Sequence, residues 1–311
     1  MIMPPFLFPE RLPFGPPKPY IRPQRMGAQA VTIAAGFQCS DGVVLCADTE
    51  INVAGFVKFP GSKFRLYPRM ACCPVFTFAG DVLYCEMLVR HIVESVLVAE
   101  RQESDVLAAV QAKALSIHQI YAAEDYETWS GLIMSLWLGT EGNRQRHLFE
   151  IGGGVASKVS EAVLGTGQSV GRGVIAELFR PRMTVKEIAL MAVYLLAEAK
   201  TYAYGVGKSS QILMLSNDGT RNVFPTYDPH HPAVAEMEED YFRLKRMLRP
   251  IILGLSDFEM TPNQFAAALE TLKASIVATR EKRYTVYIES VGKEFQRGVD
   301  RALNPEQEDD E

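Results

Sequence analysis

The order of elements along this chain predicts an α+β fold in which two antiparallel sheets stack between layers of helix. Three observations carry the expectation. Apolar runs of strand length fall into two groups, within residues 31–79 and 132–159, and a pair of helix-period segments follows each group before a last strand at Gln211–Leu215. Short turn signals separate neighbouring runs, as antiparallel pairing requires. The helical segments have apolar faces that need a sheet to cover them.

Residues 1–30 form a proline-rich arm or propeptide, with eight prolines in the first 25 residues interleaved with Phe, Leu and Tyr. Proline lacks an amide donor and fixes φ, so this stretch is expected to be extended rather than helix or central strand. The apolar residues between the prolines suit docking on a neighbouring surface better than free solvation. Val31–Cys39 and Val43–Ala47 then read as a β-hairpin around the Ser40-Asp41-Gly42 turn. Ile51–Lys58 reads as a strand, Phe59-Pro60-Gly61-Ser62 as a loop, Lys63–Tyr67 as the next strand and Val75–Ala79 as another.

A helix starts at Asp81, with Val82, Leu83, Met87, Leu88, Ile92, Val96 and Leu97 at helical spacing, and Ser104-Asp105 caps a second that reaches about Tyr121. Leu132–Leu138 is an apolar strand. Arg146–Ile151 and Val155–Val159 pair around Gly152-Gly153-Gly154. That glycine run lacks a following helix and a Lys-Ser/Thr, so it reads as a hairpin turn and not a phosphate cradle. Val170–Phe179 and Thr184 to about Tyr204 are helices.

From residue 226 the character changes. Ala235–Arg249 is a charged amphipathic helix expected to stop at Pro250, and Thr261-Pro262 opens another. The division is therefore an arm (1–30), a sandwich domain (31–225), a helical extension (226–303) that suits interaction or capping, and an acidic tail (304–311).

The net charge of −5, without a long basic run, argues against nucleic acid as a partner. No apolar run reaches membrane-helix length and no secretory signal pattern opens the chain, so a cytoplasmic protein is expected. The five cysteines sit in apolar patterns without CxxC spacing and read as buried reduced thiols. His230 and His231 have no further ligand at helical spacing, so no metal site is expected, and no cofactor either.

The chemistry concentrates in the first hairpin. Thr32 opens its first strand, Asp48 ends its second, and antiparallel pairing returns both to one end of the sheet. Lys63 heads a third strand. A hydroxyl, an amine and a carboxylate brought together there make an activated nucleophile, with the carboxylate orienting the amine.

The stretch VTIAAGFQCSDGVVLCADTE resembles the opening of a beta-type proteasome subunit, in the N-terminal-nucleophile hydrolase superfamily. Thr32 matches the family nucleophile, Gly42 its turn and Asp48 its acidic partner, and a one-residue deletion brings Lys63 onto the family lysine. TFAGD at Thr77–Asp81 resembles the oxyanion stretch, LGTGQSVG at Leu164–Gly171 the Gly-Ser-Gly turn, and Thr184–Gly219 follows the later helix and strand without gaps. The resemblance implies a four-layer αββα sandwich. It also implies a catalytic set of Thr32, Asp48, Lys63, Gly80 as oxyanion donor, and Thr166 in place of serine.

The resemblance further implies a threonine-type peptidase whose nucleophile is exposed by removal of the preceding segment. Its partners would be other copies in a ring-forming homo-oligomer, a peptide or unfolded-protein substrate, and an unfoldase or second subunit. The sequence departs from the pattern at Val31, where self-cleaving members carry Gly, and at Ala203 and Val206, where catalytic members carry Asp and Ser. Those departures keep two other readings open: a catalytically silent structural or partner-binding subunit, and a divergent amidase.

Overall fold

The computed structural model describes residues 32–53, 57–67, 72–98, 103–123, 130–139, 144–217, 232–256 and 261–281. The proline-rich arm, Val31, His230 and His231, and the acidic tail lie outside the described residues. The strands are β1 (Ile33–Cys39), β2 (Gly42–Asp48), β3 (Glu50–Val53), β4 (Val57–Pro60), β5 (Phe64–Leu66) and β6 (Val75–Ala79). Helices α1 (Val82–Val98) and α2 (Glu103–Ala123) follow. Next come β7 (Gly131–Leu138), β8 (Gln145–Gly152), β9 (Val155–Lys158) and β10 (Glu161–Gly165), then α3 (Gln168–Leu178), α4 (Val185–Tyr202), β11 (Ser210–Ser216) and α5 (Pro232–Ser256). Residues 262–281 form a further helix, α6.

Two sheets, ordered β10-β1-β2-β11 and β5-β6-β7-β8-β9, hold the sandwich, and β3-β4 is a separate pair. Side chains of successive strand residues point to opposite faces, and here both faces are covered. On β1, Ile33, Ala35, Phe37 and Cys39 pack with Ile188, Ala192, Leu195 and Leu196 of α4. Ala34 of β1 and Val43, Leu45 and Ala47 of β2 instead meet Ile133 of β7 and Leu148 of β8 in a core between the sheets. Phe76 and Phe78 of β6 point the other way, toward Leu88 and Ile92 of α1 and Val110 of α2. Three cores thus join four layers in the order α3/α4, sheet, sheet, α1/α2, the αββα sandwich.

Local signals match several ends. Thr184 caps α4 in a reciprocal box with Glu187. Thr261 and Gln264 exchange the same kind of bonds at the start of α6, at 2.9 and 3.3 Å. All five cysteines are buried and unbridged.

The elements differ from expectation in three places. Ile51–Lys58 is not one strand but the pair β3 and β4, and β4 includes Phe59 and Pro60. A proline suits this two-stranded pair because the pair has free edges. β10 was not foreseen, since five residues of mixed polarity beside a glycine turn carry little strand signal, yet they form the edge partner of β1. α5 starts at Pro232 and runs through Pro250 to Ser256. Proline removes one helical hydrogen bond, and the buried Ile251 anchors the next turn.

α5 packs on α4. Lys200 Nζ donates to Glu238 at 2.8 and 2.9 Å, Tyr241 and Lys245 both reach Glu198, and the Tyr194 and Tyr241 rings meet edge to face at 4.8 Å.

The inter-sheet core makes Leu45 a sensitive position. Leu45→Ala is expected to lower unfolding free energy by about 3 kcal/mol through lost burial and a residual cavity. Thr184→Ala, which removes only a cap, is expected to lower it by about 1 kcal/mol. Denaturant titration of the two variants checks the contrast.

Candidate active site

The β1–β2 hairpin sets the geometry. Its register pairs Ala34 with Ala47, so Thr32, just before β1, and Asp48, the last residue of β2, lie side by side. Thr32 is 4% exposed and Asp48 0%. Thr32 Oγ1 donates to Asp48 Oδ1 at 2.8 Å, and the Ile33 amide donates to the same oxygen at 3.0 Å. Lys63, just before β5, sends its Nζ to both Thr32 Oγ1 and Asp48 Oδ1. The Lys63 amide donates to Gln211 Oε1 of β11 at 3.0 Å, which ties the lysine backbone to the opposite sheet.

The structure therefore brings the hydroxyl, the carboxylate and the amine together in a closed, nearly solvent-free cluster. Burial pushes the Lys63 amine below its ordinary value, and the nearby Asp48 and Glu50 charges oppose that shift.

Thr166 closes the other side of Thr32. Its Oγ1 accepts from the Thr32 amide at 3.1 Å and lies 3.2 Å from the Thr32 carbonyl oxygen and 3.3 Å from that of Tyr204. One hydroxyl proton serves one of those two carbonyls at a time. The approach depends on Gly165, whose φ of +93° suits glycine and where an added Cβ would collide with the Thr32 carbonyl.

Gly80 follows β6 with φ +116°. It sits where a Cβ would strike Ser130, whose Oγ accepts from the Asp81 amide at 2.7 Å. Its neighbour Ala79 borders Gly165, so the Gly80 turn reaches the Thr32 end of the sandwich.

Ala203 is the C-cap of α4, and Val206 is 7% exposed within the α3/α4 core. Neither offers a carboxylate or a hydroxyl. What this turn offers instead is backbone: the Gly207 amide donates to Asp48 Oδ2 at 3.1 Å, beside the Glu50 amide at 3.3 Å. Glu50 and Gly207 were missed in the sequence. Glu50 carried a faint signal, being two residues beyond Asp48 on an extended backbone and so on the same face. Gly207 carried none.

Among the described residues no group of three or more His, Cys, Asp or Glu side chains is placed to hold a metal ion. No helix among them is long and apolar enough to cross a membrane.

An αββα sandwich with a threonine, a carboxylate and a lysine at one sheet end defines the N-terminal-nucleophile hydrolase class of fold. The family model described as proteasome subunit matches residues 29–208, more than half of the 311 residues, and the chain belongs to that family. The proteasome subunit beta of Archaeoglobus profundus is 25% identical over 193 residues, covering 60% of this chain and 86% of the relative. That of Methanosarcina barkeri is 22% identical over 201 residues, covering 62% and 90%.

Solved structures share the fold at lower identity. Anbu, described as an ancestral beta-subunit, from Yersinia bercovieri aligns with TM-score 0.57 at 12% identity, covering 68% of this chain and 94% of that one. Anbu from Hyphomicrobium sp. strain MC1 aligns with TM-score 0.58 at 16% identity, covering 74% and 100%. A helical assembly of the Anbu complex from Pseudomonas aeruginosa aligns with TM-score 0.55 at 12% identity, covering 70% and 96%.

The buried Asp48–Lys63 pair generates a stability test. Asp48→Ala leaves a buried ammonium without its main partner and is expected to destabilise by about 3–5 kcal/mol. Adding Lys63→Met removes the stranded charge and is expected to recover most of that loss. Unfolding titrations at neutral pH compare the single and double variants.

Proposed function

We propose that this chain is a proteasome-like threonine-type peptidase subunit, with Thr32 as the nucleophile once the preceding segment is removed. The observation that carries the reading is the placement of Thr32 Oγ1 against both Asp48 Oδ1 and Lys63 Nζ in a buried cluster. A threonine hydroxyl is a poor nucleophile at neutral pH. A cation at hydrogen-bond range favours the alkoxide-like transition state, and the carboxylate keeps that cation charged.

Cleavage before Thr32 would turn its amide into an α-amine with an ordinary pKa near 8. Thr166 Oγ1 is already 3.1 Å from that nitrogen and would orient it as general base. The hydroxyl attacks an amide carbonyl, backbone N–H groups at the Gly80 turn stabilise the oxyanion, and water releases the acyl group. The substrate class is a peptide or unfolded protein. The working form is a homo-oligomer, in line with the assembly described for Pseudomonas Anbu, and an unfoldase or second subunit is the natural feeder of such a particle.

A second reading, a silent structural subunit, is favoured by Ala203 and Val206, which place neither a carboxylate nor a hydroxyl beside Thr166. The two readings separate by experiment. Intact mass of the purified full-length protein is expected to show a mature chain beginning at Thr32, whereas a retained arm favours silence. With short fluorogenic peptides, a chain beginning at Thr32 is expected to turn over and to take a threonine-directed covalent probe at Thr32. Thr32→Ala and Lys63→Ala are each expected to abolish turnover, and Thr166→Ala to reduce it. No turnover and no labelling in an assembled particle decides for the silent subunit.

A further inference from the structure

A second carboxylate belongs to the Thr32 site. Glu50 opens β3 two residues beyond Asp48 and is 7% exposed, a depth at which a carboxylate needs a compensating environment. A Cβ built on Gly207 would stand 2.5 Å from Glu50 Oε2, so the carboxylate rests against the Gly207 backbone. The amides of Glu50 and Gly207 both donate to Asp48 Oδ2. One side chain thus props the turn that orients Asp48 while bringing a negative charge to the Lys63 neighbourhood.

Among the described residues, Asp48 of β2 accepts from the Lys63 amine, and Glu50 of β3, tied to the same Asp48 carboxylate through its backbone amide, adds a second negative charge that opposes loss of the Lys63 proton. β11 presents the neutral Gln211, β6 presents Thr77 opposite Phe64, and Lys208 in the α4–β11 turn is exposed. Asp48 Oδ1 is shared, accepting from the Thr32 hydroxyl and the Ile33 amide as well as from Lys63. A buried ammonium with one shared carboxylate is prone to lose its proton, and a second anion opposes that loss. The turn after α4 brings no acidic side chain, since positions 203–207 read Ala, Tyr, Gly, Val, Gly.

We propose that Glu50 is a positioning residue of the Thr32 site, its buried carboxylate bracing the Gly207 turn against Asp48 and standing as a second anion beside the Asp48–Lys63 pair. Its effect on Lys63 stands by itself; its effect on rate rests on Thr32 being the nucleophile.

The test uses the full-length protein with lysines carrying 13C at Cε, and Lys63→Met to identify the Lys63 resonance. Glu50→Gln is expected to move the Lys63 titration to lower pH, and Glu50→Asp to restore much of it. Gly207→Ala asks only the end of a flexible side chain to move, so it folds and is expected to shift the titration in the same direction. In turnover, the rate is lost as pH rises through the Lys63 midpoint, so Glu50→Gln brings the alkaline limb to lower pH. There it is expected to lower kcat roughly tenfold with KM unchanged.

A Lys63 titration that stays in place in both Glu50→Gln and Gly207→Ala overturns the proposal. A shifted titration in a protein without turnover keeps Glu50's role and removes the nucleophile reading. Turnover with an unshifted titration does the reverse.

Discussion

The Asp48 carboxylate is wholly buried, and most of the candidate site is arranged around the donors it requires. It accepts from the Thr32 hydroxyl, the Ile33, Glu50 and Gly207 amides, and the Lys63 amine. An ionised carboxylate away from water is tolerable only with such partners. They arrive from the start of β1, the start of β3, the approach to β5, and the turn between α4 and β11. No short segment can supply them all, so the cluster forms only when both sheets and α4 are in place. The same convergence fixes the Thr32 hydroxyl between an acid and an amine.

Much of the sandwich was legible because its signals are local. Ser-Asp-Gly between two apolar runs is a hairpin signal that needs no distant residue. The nearness of Thr32 and Asp48 follows from that hairpin alone. Lys63 came from its place at the head of a strand, and Gly80 and Thr166 came from the resemblance rather than from any local pattern. β10 was hidden because Glu161–Gly165 mixes polar and apolar residues in a short edge strand. Pro250 misled because a proline's local preference gives way when the following turn is anchored by a buried residue such as Ile251.

The partners of Asp48 that were missed share one property: their roles come from distance along the chain. Gly207 lies 159 residues from Asp48 and donates through its backbone, so nothing in its side chain could reveal it. Glu50 looked like an ordinary charged residue next to a strand end. Only the folded chain lays its carboxylate on a glycine and closes the space that any larger residue at 207 would fill.

The segment beyond the family match bears on the same question. Val234 and Met237 of α5 belong to the same apolar core as Val206, and an apolar residue at 206 suits that core. A serine there would bring a hydroxyl into that core and would need a partner that the apolar neighbours do not offer. α5 also places Glu238 against Lys200 and Ser210, and Ser210 stands opposite Asp48 in the β2–β11 register. Orientation of the Thr32 cluster then falls to Asp48, to the Thr166 hydroxyl and to the backbone of Gly207, groups that α5 leaves in place.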